Sequence, residues 1–157
     1  MAGDYIPVRW RPHKMPSKLS QWIVATLREA GWVPLLLLFL LLFPSQAFNA
    51  FNRFPHIDVP MHYLGGVATG YFFHRLSENA SRSGIFGPYH RATHFVLVFG
   101  LTCAAALFWE FFEYAFDCLL GTHMQLSNQD TMTDLLLGVS GGISFLVILA
   151  VLRRAGR

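Results

Sequence analysis

The hydrophobic positions of this chain fall into four long segments, each close to the 20 residues that a helix needs to cross the hydrocarbon core of a bilayer. The segments predict membrane-spanning helices at about Trp32–Phe51, Asp58–Leu76, Ala92–Leu120 and Thr131–Leu152. Pro34 lies in the first turn of the first helix, where proline is tolerated, and Pro44 is expected to kink or end that helix.

A shorter amphipathic pattern precedes these segments. Between Ser17 and Ala30 apolar residues recur at helical spacing with charged residues on the opposite side, which is typical of a helix in the membrane interface. Gly31 is expected to end this helix or to turn the chain into the membrane. We predict an all-α integral membrane bundle of about four transmembrane helices. Residues 1–30 would form a basic cytoplasmic tail and a short interfacial amphipathic helix, and residues 31–157 the transmembrane domain.

Composition supports a membrane protein. Hydrophobic residues make up 54% of the 157 residues and charged residues only 13%, whereas about a quarter of the residues in soluble domains are charged. Glycines at spacing four, Gly66 with Gly70 and Gly138 with Gly142, would let helix backbones approach closely in lipid.

Basic residues are unequally divided between the two sides of the predicted membrane. Arg53 is the only one on the side that holds the first and third loops. The other side carries Arg9, Arg11, Lys14, Lys18, Arg28, Arg75, Arg82, Arg91, Arg153, Arg154 and Arg157. Because cytoplasmic loops are enriched in lysine and arginine, both termini are expected in the cytoplasm. The net charge of +3 then reflects topology and contact with anionic headgroups, and nucleic acid is not an expected partner.

Acidic residues within the apolar segments are the clearest candidates for a functional site. A charged side chain at the bilayer centre costs about 2.5–3.5 kcal/mol on insertion scales, so such residues usually have a partner or a function. Spacings of three and four place them on common helix faces, and the predicted topology gathers them with His62 in the outer half of the bilayer. They are Asp58, Glu110, Glu113, Asp117, Asp130 and Asp134.

Carboxylates with one imidazole favour a hard or borderline metal ion such as Ca²⁺, Mn²⁺, Zn²⁺ or Fe. The candidate metal ligands are His62, Glu113, Asp130 and Asp134. A cationic or polar lipid-linked ligand would instead contact Asp58, His62, Glu110, Glu113 and Asp117. Glu110, the most deeply placed acid, is the candidate catalytic acid or base if the protein is an enzyme.

Other interpretations stay open at this stage. The acids and His62 would fix helix packing through hydrogen bonds alone, and Asp130 would serve only as the N-cap of the last helix. Alternatively the protein would be a structural subunit whose glycine stripes face a partner in a membrane complex. The leading hypothesis is an inner-membrane protein that binds a cation or a polar lipid-linked ligand; the second is a metal-dependent enzyme acting on a lipid or lipid-linked substrate.

Three segments resemble a known pattern: Asp58–Gly66, Trp109–Glu113 and Asp130–Asp134. Together they are similar to the bacterial YjdF-like inner-membrane proteins, a family without an assigned biochemical activity. The resemblance implies a multi-helix inner-membrane protein. Its pattern falls on His62, Glu110, Glu113, Asp130 and Asp134.

A looser likeness connects the same segments with the VanZ-like proteins, a family associated with tolerance of glycopeptide antibiotics. The chain departs from that pattern at two points. Glu113 stands where glutamine would be favoured, and Ser127-Asn128-Gln129 replaces an expected arginine before the aspartates. Both departures weaken the transfer of a glycopeptide-related role.

Overall fold

A computed structural model describes residues 17–48 and 57–156, which form helices without a strand among them. The helices are α1 (Lys18–Thr26), a π-helical turn (Leu27–Gly31), α2 (Trp32–Phe48), α3 (Asp58–Arg82), α4 (Arg91–Leu120) and α5 (Asn128–Ala155). This confirms the all-α bundle predicted from the apolar segments. The basic tail at residues 1–16, the end of the first predicted span at 49–51 and Arg53 lie outside the described residues.

Gly31 was predicted to end the first helix or to turn the chain into the membrane; the chain continues there without a loop. The π-helical turn connects α1 directly to α2, and α2 continues past Pro44 to Phe48. The amphipathic segment is therefore the start of a longer helix, of which Lys18–Leu40 is long and apolar enough to cross a membrane. The division of the chain at residue 30 stays a prediction.

Polar contacts with α3 explain why the amphipathic segment joins the bundle. The indole Nε1 of Trp22 donates to the Leu76 carbonyl at 2.9 Å. Glu29 accepts hydrogen bonds from Arg75 and from Asn79 of α3. Glu29 is exposed, yet its carboxylate is paired with α3, so this residue of the polar face contacts the bundle.

Glycines bring the backbones of α3 and α5 into direct contact. A Cβ atom added at Gly66 would collide with the Gly138 carbonyl, and one added at Gly141 would collide with the Tyr63 carbonyl. A Cβ added at Gly142 would lie only 2.7 Å from the Thr102 methyl group of α4. We call this contact, formed by Gly66, Gly138, Gly141 and Gly142, the glycine seam. These glycines are used within the chain, so they are not free to face a partner subunit.

The side chains are distributed as expected for a protein surrounded by lipid. Among the described residues, the buried polar side chains include Glu110, Glu113 and Asp134. Many leucines are exposed instead; Leu119, for example, is 81% exposed. Such an apolar surface over a polar interior is unfavourable in water and favourable in a bilayer.

Three helices within the described residues are long and apolar enough to cross a membrane: Lys18–Leu40, Arg91–Leu120 and Asn128–Ala155. Helix α3 is more polar, because it carries Asp58, His62, His74, Arg75 and Glu78. It packs between the apolar helices, and its 25 residues give a length of about 37 Å, which is sufficient to cross a bilayer. The predicted count of four spans therefore agrees broadly with the structure.

Candidate functional site

His62 of α3 is the centre of the candidate site. Its Nε2 atom lies 3.2 Å from Asp58 Oδ1, one turn earlier on the same helix, and 3.8 Å from Asp134 Oδ2 of α5. Its Nδ1 atom lies 3.9 Å from Glu110 Oε1 of α4. One imidazole thus faces carboxylates from three helices.

These side chains form two overlapping groups that could hold a metal ion. Asp58, His62 and Asp134 each offer one ligand atom within 4.8 Å of the others, and so do His62, Glu110 and Glu113. Two oxygen ligands on opposite sides of a cation, with bonds of about 2.0–2.6 Å, are separated by about 4–5 Å. The spacing therefore suits one cation within either group: beside His62 Nε2 with Asp58 and Asp134, or on the Nδ1 side of the ring with Glu110 and Glu113.

The charge of the site is unbalanced within the described residues. Of its four carboxylates, Asp58, Glu110 and Asp134 pair only with His62, and Glu113 has no basic partner among the lysines and arginines described. Glu110, Glu113 and Asp134 are all buried. Adjacent carboxylates removed from water must share protons or be compensated by a cation.

Asp117 lies apart from this group. Both of its carboxylate oxygens hold the loop after α4: Oδ1 accepts from the Thr122 hydroxyl and the Met124 amide, and Oδ2 accepts from the Gln125 amide. These contacts fix the turn at Gly121, which has a φ of 65°. The structure therefore places Asp117 beside the site, where it shapes the loop; its ligand role stays a prediction.

Asp130 also lies outside the two groups, at the start of α5. Ser127, not Asp130, is the N-cap of this helix, and its hydroxyl accepts the Asp130 amide at 3.1 Å. The Asp130 carboxylate accepts the Leu126 amide at 3.2 Å. Asp130 lines a cavity of about 270 Å³ together with Asp58 and Asp134. This cavity gives access to one edge of the site.

Two residues of the site were missed by sequence reasoning. Trp109 donates its indole N–H to Glu113 Oε1 at 2.7 Å. Gln125 donates its side-chain N–H to the Glu110 carbonyl at 3.0 Å and to Glu110 Oε2 at 3.1 Å. The spacing of four between Trp109 and Glu113 was a usable signal, because such residues share a helix face. Nothing in the sequence indicates that Gln125 folds back onto α4.

The fold and the buried polar groups define the class: a helical membrane protein with an acidic, histidine-containing site between three helices. The family model described as "Predicted membrane protein (DUF2238)" matches residues 21–155. The chain belongs to this family, and the match confirms the resemblance to the YjdF-like membrane proteins.

The likeness to VanZ-like proteins is not confirmed by this match. No curated protein and no solved structure matches the chain.

Proposed function

We propose that this protein binds a divalent cation between α3, α4 and α5. The observation that carries the proposal is the convergence of His62 with Asp58, Glu110, Glu113 and Asp134. Each group supplies two carboxylates and one imidazole, a donor set suited to Ca²⁺, Mn²⁺, Zn²⁺ or Fe. A cation would offset the excess negative charge that the described residues leave unbalanced.

The contacts around the site support preformed ligands rather than loose surface acids. Trp109 orients Glu113, and Gln125 orients Glu110, each through a hydrogen bond to a carboxylate oxygen. Hydrogen bonds of this kind hold the carboxylates in place before a metal ion binds, and they increase the affinity for the metal. A cluster serving only helix packing has no need to hold so many acids around one imidazole.

Metal analysis of the purified protein tests this proposal. We expect wild type to carry a stoichiometric divalent metal by mass spectrometry. His62→Ala and Asp134→Asn should weaken binding by about 100-fold or more, since changes in second-shell groups alone cost 10–100-fold. His123→Ala is the matched control for the histidine, because His123 is exposed in the loop after α4.

Asp130→Asn, one turn earlier on the same helix and outside the two groups, tests the remaining predicted ligand and is expected to keep its metal. Loss of metal in Asp130→Asn as well would extend the site to this residue, as its sequence position predicts. A folded wild-type protein that takes up no divalent cation would reject the proposal.

We propose further that the site faces the outside of a bacterial inner membrane, with both termini in the cytoplasm. The distribution of lysine and arginine along the sequence supports this orientation. A green fluorescent protein fused after Arg157 should fluoresce, and alkaline phosphatase fused after His123 should be active. The opposite pair of results would place the cation site on the cytoplasmic side.

A metal-dependent enzyme is the second candidate function. It is favoured by the cavity of about 270 Å³ beside Asp58, Asp130 and Asp134, which has room for a lipid headgroup next to the cation. A bound cation would polarise the substrate as a Lewis acid, and Glu110 would act as the acid or base. Cation binding alone does not require this space, which is why the cavity favours an enzyme; we place the enzyme second because it requires a substrate in addition to the cation.

A further inference from the structure

A second polar cluster lies at the opposite end of the bundle, where α3 ends, α4 begins and α5 ends. It surrounds a cavity of about 360 Å³. The side chains that matter here are Glu78, Arg82, Tyr89, Arg91, His94 and Arg153. None of them belongs to the proposed cation site.

Glu78, the one acid in this lining, is already neutralised by arginines. Its carboxylate lies 2.8 Å from Arg75, 2.5 Å from Arg153 and 3.7 Å from Arg82. The cavity lining itself contains Arg82, Arg91 and Arg153 against this single glutamate, so the cavity carries excess positive charge. An anion entering it would therefore be attracted rather than repelled.

Arg91 is the arginine most available to a ligand. It is exposed, and it forms no ion pair or hydrogen bond with the part of the chain that the structure describes. It is also the first residue of α4. The amide groups at a helix N-terminus carry partial positive charge and favour a bound anion.

The wall of the cavity is held in place by a chain of buried polar contacts. The Tyr89 hydroxyl donates to the Ser77 carbonyl at 3.0 Å, and the ring of Tyr89 stacks on His94. His94 in turn lies 2.9 Å from His74, and both imidazoles are buried. Burial raises the pKa of Tyr89 above its usual value, in agreement with a neutral hydroxyl that donates to the Ser77 carbonyl.

We propose that this cavity binds a phosphate group. Guanidinium groups match phosphate oxygens through paired, charge-assisted hydrogen bonds, and the cavity places three arginines around one space. It lies at the ends of the apolar helices α4 and α5, at the level of lipid headgroups. Basic pockets between helices at this level suit phospholipids, and a small soluble phosphate offers the same chemistry.

Binding to the full-length protein in neutral detergent distinguishes these two sources. The probes are inorganic phosphate, phosphatidylglycerol and phosphatidylcholine, and native mass spectrometry measures how much of each binds. If phosphatidylglycerol binds saturably and more tightly than phosphatidylcholine, the bound phosphate group belongs to an anionic lipid. Saturable binding of inorganic phosphate identifies a soluble phosphate.

Arg91→Gln is the main variant, because its side chain has no described partner whose loss would disturb the fold. It should weaken binding of the active probe by about tenfold or more, the expected loss of a charged hydrogen bond. Arg154→Gln, an exposed change outside the cavity on the last turn of α5, should bind like wild type. Circular dichroism checks that both variants remain helical.

Two results would overturn the proposal: equal binding by wild type and Arg91→Gln, or no saturable binding of any probe. Metal content is measured on the same samples. A failure of the cation site leaves this test unaffected, since the two sites share no residue.

Discussion

Replacing Gly66 with alanine is expected to lower the free energy of unfolding by about 3 kcal/mol, the upper part of the range for overpacking a tight interior. The added methyl group would collide with the Gly138 carbonyl, and it would lie 3.0 Å from the Gly142 amide nitrogen. Both neighbours are backbone atoms, so the collision is relieved only if α3 and α5 move apart. Denaturation in detergent, followed by circular dichroism, measures the change.

The adjacent residue supplies a matched control. A Cβ added at Gly65 would meet only the Leu37 side chain, at 4.0 Å, which is an ordinary contact. Gly65→Ala should therefore leave stability unchanged or raise it by up to about 1 kcal/mol through better helix propensity. Equal stability of the Gly65 and Gly66 variants would show that the glycine seam does not need its close backbone contact.

Gly66→Ala should also weaken cation binding at the proposed site. His62 lies one turn before Gly66 on α3, and Asp134 lies one turn before Gly138 on α5. Separating the two helices at the glycine seam would also move these side chains apart, although neither is altered. Reduced metal content in Gly66→Ala, but not in Gly65→Ala, is the expected result.

Removing the cation is expected to destabilise wild type strongly. A ligand that binds only the folded state stabilises it by about 4 kcal/mol when its free concentration is a thousandfold above the dissociation constant. For a chain of this size, that corresponds to a fall of roughly 8–16 °C in the midpoint of thermal unfolding. The measurement is a thermal scan in detergent, with divalent metal and then with excess EDTA.

Variants of the site separate this effect from a general effect of EDTA. His62→Ala and Asp134→Asn should unfold at the same temperature with and without EDTA, because they have little cation to lose. His123→Ala should behave like wild type. An unchanged wild-type midpoint after complete removal of metal would mean that the cluster is compensated by protons and hydrogen bonds.

The meeting of the acidic groups was predictable because helical spacing and antiparallel topology are both readable in the sequence. Asp58 and His62 share a face near the start of α3, and Glu110 and Glu113 share a face in the second half of α4, so antiparallel helices bring them to the same side of the bundle. The rotation of each helix about its axis was not predictable, since it depends on packing at the glycine seam. The ligand roles of these residues stay predictions.

The features that were missed depend on contacts between distant segments. Gly31 was expected to end a helix or to turn the chain into the membrane; the π-helical turn ends at Gly31, and α2 begins at Trp32 with no loop between them. The burial of His74 against His94, through a contact between α3 and α4, was not predicted. Local patterns do not report such pairings, nor the return of Gln125 to Glu110.

The glycine seam also lies between the two proposed binding sites. His62 and His74 lie on α3 on either side of Gly66 and Gly70, about 18 Å apart along the helix. Backbone contact between α3 and α5 leaves no width for a water file between these helices. This contact therefore closes the direct path between α3 and α5 from the proposed cation site at His62 to the proposed phosphate site at Arg91.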